Sequence, residues 1–94
     1  MKNLAERVIE LLIKDGCVVD VVCEGEVDLE KSNSYKEVIE AINGVDCIPN
    51  IVAFKNSEYV CSFAVCLDDF DPEETVIDYT VSEYSEYIYN QCIK

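Results

Sequence analysis

Residues 47–67, CIPNIVAFKNSEYVCSFAVCL, hold two β-rich runs about a short polar connection. Two runs rich in β-branched and aromatic residues, Cys47 to Phe54 and Tyr59 to Leu67, flank Lys55-Asn56-Ser57-Glu58, a connection short enough for a β-hairpin. The runs are expected to be antiparallel neighbours with apolar side chains on both faces. A sheet of that kind needs helices or further strands around it.

Working outward toward the N-terminus, Ser34 and Glu37 have the S-x-x-E spacing of a helix start, and Tyr35, Val38, Ile39 and Ile42 recur at i, i+3, i+4, i+7 until Asn43-Gly44. A helix is expected over about 35–43. From Cys17 to Val27 the chain alternates, with Cys17, Val19, Val21, Cys23 and Val27 on one side and Asp20, Glu24 and Glu26 on the other, which reads as one strand with a wet face. Asn3 with Glu6 forms a capping box for a first helix over about 4–15, whose stripe is Leu4, Val8, Leu11 and Leu12 and whose end is marked by Lys14 and Gly16.

Toward the C-terminus, Asp71-Pro72-Glu73-Glu74 looks like a helix start, yet Thr75 to Val81 is rich in β-branched residues, so 72–81 can be helix or strand. Ser82 caps a last helix with Tyr84, Tyr87, Ile88 and Cys92 along one stripe. The expectation is a small single α/β or α+β domain over 1–94, of order α-β-α-β-β-(β or α)-α, with a three- to four-stranded sheet and flanking helices. At 94 residues one hydrophobic core is feasible and two are not, since domains run to roughly 100–150 residues.

The residue inventory excludes much chemistry. There is no histidine, which removes Ser-His-Asp and Cys-His catalysis and imidazole-based metal sites. Neither a P-loop nor G-x-G-x-x-G can be built from three glycines placed as these are. The cysteines at 17, 23, 47, 61, 66 and 92 contain no C-x-x-C, so a zinc knuckle or dithiol redox motif is not indicated. Asp69-Phe70-Asp71-Pro72-Glu73-Glu74 lacks the glycine a calcium loop needs at its sixth position. The expectation is a non-enzymatic protein with no cofactor and no metal.

No apolar run reaches the ~18–20 residues of a membrane span, and the N-terminus has no secretory-signal pattern. A soluble, cytoplasmic protein is therefore expected, with its cysteines packed as reduced thiols.

Charge is the distinctive feature. Twenty Asp and Glu against seven Lys and Arg leave a formal net charge of −13. Between Asp68 and Glu86 stand Asp68, Asp69, Asp71, Glu73, Glu74, Asp78, Glu83 and Glu86 without one basic residue. A second group, Asp20, Glu24, Glu26, Asp28 and Glu30, occupies even positions only, which puts them on one side of an extended chain at ~6.6–6.8 Å per two-residue step. Duplex DNA places a phosphate every ~3.4 Å of axis on each strand, so such a row is a sparse imitation of a phosphate track. These thirteen residues are the candidate partner-binding surface, and the partner they fit is a basic protein surface. Direct binding of nucleic acid is not expected, because like charges repel.

In size, charge and lack of catalytic groups the chain resembles the acidic nucleic-acid mimics that phages encode, the anti-CRISPR and anti-restriction inhibitors. That resemblance implies a basic nucleic-acid-binding complex of a host defence system as target, and the host cytoplasm as location. A second, partial resemblance lies in Gly44-Val45-Asp46-Cys47-Ile48-Pro49-Asn50-Ile51-Val52-Ala53-Phe54-Lys55-Asn56, which is similar to the segment around the cis-proline of thioredoxin and glutaredoxin domains. It implies an interaction module with a cis Ile48–Pro49 bond and no redox activity, since the family's C-x-x-C is missing.

Overall fold

A computed structural model describes residues 2–67 and 71–93, and of Glu73 the backbone only. In chain order the elements are α1 (Leu4–Lys14), β1 (Val18–Cys23), β2 (Glu26–Ser32), α2 (Tyr35–Asn43), β3 (Asn50–Lys55), β4 (Glu58–Val65), a single 3-10 turn (Pro72–Glu74), β5 (Val76–Tyr79) and α3 (Glu83–Cys92). The strands form one antiparallel sheet in the order β2-β1-β3-β4-β5. This is a small α+β domain whose element order roughly matches the expected one, with five strands rather than three or four.

The central hairpin behaves as its residues require. Lys55 pairs with Glu58 across a two-residue turn, Asn56-Ser57, in which both φ angles are positive (54° and 68°). That is the turn geometry whose twist matches the flanking strands. Period-2 alternation then sends Ile51, Ala53, Cys61, Phe63 and Val65 to one face, where all are buried, and leaves Val52, Phe54, Ser62 and Ala64 partly exposed on the other.

The buried face is covered by the helices. Leu4, Ala5, Val8, Ile9 and Leu12 of α1, Val38 and Ile42 of α2, and Ile88 and Cys92 of α3 join the odd-numbered strand residues, including Val19 and Val21, in one core. α2 packs over β2 and β1, α3 over β4, and α1 between the other two helices. Phe63, Tyr79 and Tyr89 stack in series, with ring centroids 5.5 and 4.8 Å apart, and so bind β4, β5 and α3 together. Among the described residues no helix covers the other sheet face, which is the usual one-sided burial of an antiparallel sheet.

Both outer capping boxes form. The Asn3 side chain accepts from the Glu6 amide at 2.9 Å, and Glu6 accepts from the Asn3 amide at 2.8 Å. At α3 the partner of Ser82 is Ser85, which is buried. The buried stripe of α3 is therefore Ser85, Ile88 and Cys92 with Tyr84 and Tyr89 packed beside it, while Tyr87 is half exposed, unlike the stripe expected from apolar residues alone. Residues 72–81 resolve as both alternatives in sequence: one 3-10 turn, then a four-residue edge strand.

The largest departure from the expected order lies in 17–27. The chain reverses at Glu24-Gly25, where φ is +51° and +84°, so the stretch is not one strand but β1, a tight turn and the start of β2. Two irregularities bend β2: Asp28 is an extra residue between the Val21–Leu29 and Val22–Val27 pairs, and Glu30 with Lys31 opposes Asp20 alone. Lys31 sits at φ +45°, and its amide donates to the Asp20 carboxylate at 2.6 Å.

A β-carbon on Gly25 would meet nothing within 4 Å, so substitution there tests backbone conformation alone. Gly25→Ala should cost about 1 kcal/mol, whereas Glu24→Asn should gain roughly 0.5 kcal/mol because asparagine tolerates the left-handed region better. Urea midpoints read both; a loss of stability in the asparagine variant would contradict the turn.

Candidate functional site: an acidic cleft at one end of the sheet

The strand pairings Cys23–Glu26, Val22–Asn50, Asn50–Ala64 and Val65–Val76 define one end of the sheet. Three connections meet there: the Glu24-Gly25 turn, the α2–β3 loop, and the β4–β5 link. Val65 donates its amide to the Pro49 carbonyl at 3.1 Å, and Cys66 donates to the Thr75 carbonyl at 2.7 Å, which ties the loops together.

A disulfide between Cys23 and Cys47 closes this end covalently, with the two Cα atoms 6.3 Å apart, inside the usual range of ~4.4–6.8 Å. The expectation of six reduced thiols is thus corrected for this pair, while Cys17, Cys61, Cys66 and Cys92 are free. Residues 24 apart in sequence become neighbours, and closing a loop of that length contributes on the order of 3–4 kcal/mol in the chain-entropy treatment.

The bond also sorts the carboxylates. Glu24 follows one bonded cysteine and Asp46 precedes the other, so pairing the sulfurs brings both to the same place. Together with Glu26 and Asp28 they line a cleft of about 380 Å³ bounded by Cys23, Cys47, Gly44 and Val45. All four carboxylates are exposed, and no lysine or arginine is among the described residues lining the cleft. Asp71 and Glu74 are exposed on the link that leaves from and returns to this same end.

Other candidate residues lie elsewhere. Asp20 is 8% exposed on β1, and its carboxylate is occupied by the Lys31 amide. The one-sided row from Asp20 to Glu30 does not form, because the chain turns back at Glu24-Gly25. Glu30 is exposed on the edge strand β2, outside the lining of the cleft. Asp78 stands with Asn50, Ser62, Ala64 and Thr80 on the helix-free face of the sheet. Glu83 opens α3 at the opposite end of the fold, and Glu86 accepts from the Tyr79 hydroxyl at 3.1 Å on the helix side. Asp68 and Asp69 lie outside the described residues, as does the Glu73 side chain. Asp46, which no sequence pattern singled out, is the one member of the cleft that only the Cys23–Cys47 pairing could have revealed.

The opposite end of the sheet holds a polar clasp instead. The Tyr84 hydroxyl donates to Asp15 Oδ2 at 2.5 Å and lies 3.2 Å from Cys17 Sγ, and Lys55 Nζ is 3.1 Å from the same Asp15 oxygen. This joins the ends of α1 and β3 to the start of α3. The Tyr84 bond, reinforced by Lys55, holds the Asp15 carboxyl below its ordinary range, while burial and the Asp15 bond push the Tyr84 phenol upward. Cys17 is buried, and burial raises the nearby Cys61 thiol to about 12. Among the described residues no cluster of cysteine, aspartate or glutamate is arranged to hold a metal ion, and none of the helices is long and apolar enough to cross a membrane.

Compared with known proteins, the chain matches no family model, no curated protein and no solved structure. The Ile48–Pro49 peptide is trans, the opposite of what the thioredoxin resemblance implies.

The clasp has a pH signature. A carboxyl whose folded pKa is lowered contributes stability above its unfolded pKa, about 3.9 for aspartate, and loses it as pH falls through the folded value. The stability gap between the wild-type protein and Asp15→Asn should therefore be constant near neutrality and shrink below about pH 4. Chemical denaturation across that window checks it, and a gap independent of pH would remove Asp15 from the account.

Proposed function

We propose that this protein is a non-enzymatic acidic binding protein whose carboxylate-bearing sheet end occupies a basic, nucleic-acid-binding surface of another protein. The observation that carries this reading is the cleft in which Glu24, Glu26, Asp28 and Asp46 converge without a basic side chain among its lining residues. Asp71 and Glu74 extend the same charge along the neighbouring link. A field of one sign over several loops attracts a cationic partner and speeds its encounter.

The distribution of the cations supports the same reading. Lys31 lies over the Phe54 ring, Lys55 bonds Asp15, Lys2 bonds Glu10, and Arg7 donates to the Cys92 and Lys2 carbonyls. These basic side chains serve the fold and do not line the cleft, whose four carboxylates are exposed. Inhibition of a host defence complex, as in the phage-encoded mimics, is the particular form of this function that the composition suggests.

A panel of basic nucleic-acid-binding proteins, each titrated with the protein in the presence of labelled duplex DNA, tests the reading. Binding should displace the DNA and weaken about tenfold or more between ~50 and 200 mM salt. The joint variant Glu24→Gln, Glu26→Gln, Asp28→Asn, Asp46→Asn should lose most of that affinity. Undiminished competition by the variant would move the binding surface away from the cleft.

A further inference from the structure

The fold sorts five of the six cysteines into two kinds; the sixth, Cys66, is a half-buried free thiol on the β4–β5 link. Cys17, Cys61 and Cys92 are buried among apolar side chains and belong to the core, where free cysteine packs as a small hydrophobe. Cys23 and Cys47 are bonded to each other, only half-buried, outside the core cluster, and both line the acidic cleft. A cleft of about 380 Å³ admits a small solute to the bond, and thiol–disulfide exchange depends on such access.

We propose that the Cys23–Cys47 bond is a thiol–disulfide exchange site selective for thiols that carry positive charge, and that its reduction takes the acidic cleft apart. The reductant is a thiol of that class. Its thiolate attacks one Sγ of the bridge, the S–S bond breaks, and the electron pair leaves on the other Sγ, which takes a proton from water. A second thiol then attacks the mixed disulfide. In sum two thiols become one external disulfide, and two electrons and two protons convert the bridge into two cysteine thiols.

Selectivity follows from the walls. The attacking species is an anion entering a space lined by Glu24, Glu26, Asp28 and Asp46. Over distances shorter than the ~10 Å Debye length at 0.1 M salt those carboxylates repel it, and a positive charge carried beside the sulfur offsets the repulsion. Anionic thiols are therefore slow and cationic ones fast.

The structural consequence follows from where the bond is placed. Asp46, Cys47 and Ile48 belong to no helix or strand, so the bridge is the covalent tie between this loop and the end of β1. Once it is cut, repulsion between Asp46 and the carboxylates of the Glu24-Gly25 turn and β2 drives the loop outward. Regulation of binding by this route rests on the function proposed above, whereas the exchange selectivity and the loop release do not.

The oxidised wild-type protein is treated at about 20 mM salt with cysteamine, 2-mercaptoethanol or 3-mercaptopropionate at equal thiolate concentration, with hydroxyethyl disulfide as the uncharged reference. Alkylation and mass spectrometry give the rates. The cysteamine-to-mercaptopropionate rate ratio should exceed that of the reference by about tenfold or more and collapse toward it near 0.5 M salt. The joint carboxamide variant should show the reference ratio at every salt concentration. After reduction, amide hydrogen exchange across 44–49 should accelerate by at least about tenfold relative to the core strands. A reference-like ratio at low salt in the wild-type protein, or six alkylatable thiols in the unfolded, unreduced protein, overturns the exchange site. Unchanged exchange across 44–49 overturns the loop release. Neither measurement needs a partner protein, so failure of the binding function and failure of this site are told apart.

Discussion

Four carboxylates held together in one cleft repel one another, and some constraint must keep them there. All four are exposed, so solvent and salt screen that repulsion, and no lysine or arginine among the described residues lining the cleft offsets it. The Cys23–Cys47 bond supplies a cross-link that ties the Asp46 loop to the hairpin carrying the other three, with a contribution on the order of 3–4 kcal/mol. The two effects meet at the same residues, since Glu24 and Asp46 adjoin the bonded cysteines. The covalent bond and the charge cluster are thus one feature, and the shape of the acidic end depends on both.

The rest of the fold leaves no lysine or arginine among the described residues lining that cleft. Strands paired in the order β2-β1-β3-β4-β5 bring the Glu24-Gly25 turn, the α2–β3 loop and the β4–β5 link to one end. The other end receives Lys55, Asp15 and Tyr84, joined as a clasp. The helix layer completes the division: α1, α2 and α3 all cover the odd-numbered face of the central strands, so the core is one-sided and the loops are free to carry charge.

Much of this was legible in the residues. The β3–β4 hairpin announced itself through two β-rich runs and a polar four-residue connection, and the helices through caps at Asn3, Ser34 and Ser82. What escaped was the turn at Glu24-Gly25. Its two flanking strands alternate in phase, and glutamate in a left-handed position lacks the Asn-Gly or Asp-Gly signature of tight turns. The site changes with that turn: a straight strand aligns Asp20 with Glu30, whereas the real chain buries Asp20 beneath a bulge and turns Glu24 and Glu26 toward Asp46. The disulfide was equally invisible, because pairing of Cys23 with Cys47 depends on the β1–β3 register and not on spacing. In α3, counting only apolar residues put Tyr87 inward and missed Ser85, whose hydroxyl is satisfied by Ser82 and the Thr80 carbonyl.

The proposed function places cationic partners at the cross-linked acidic end and not wherever carboxylates happen to be exposed. An NMR titration of the oxidised protein with a short oligoarginine peptide reads this directly, residue by residue. Binding at that end gives amide shifts concentrated at 23–28, 44–47 and 71–74, saturating together. Shifts centred on Glu83 and Glu86 at the start of α3, or spread evenly over every acidic residue, would contradict it.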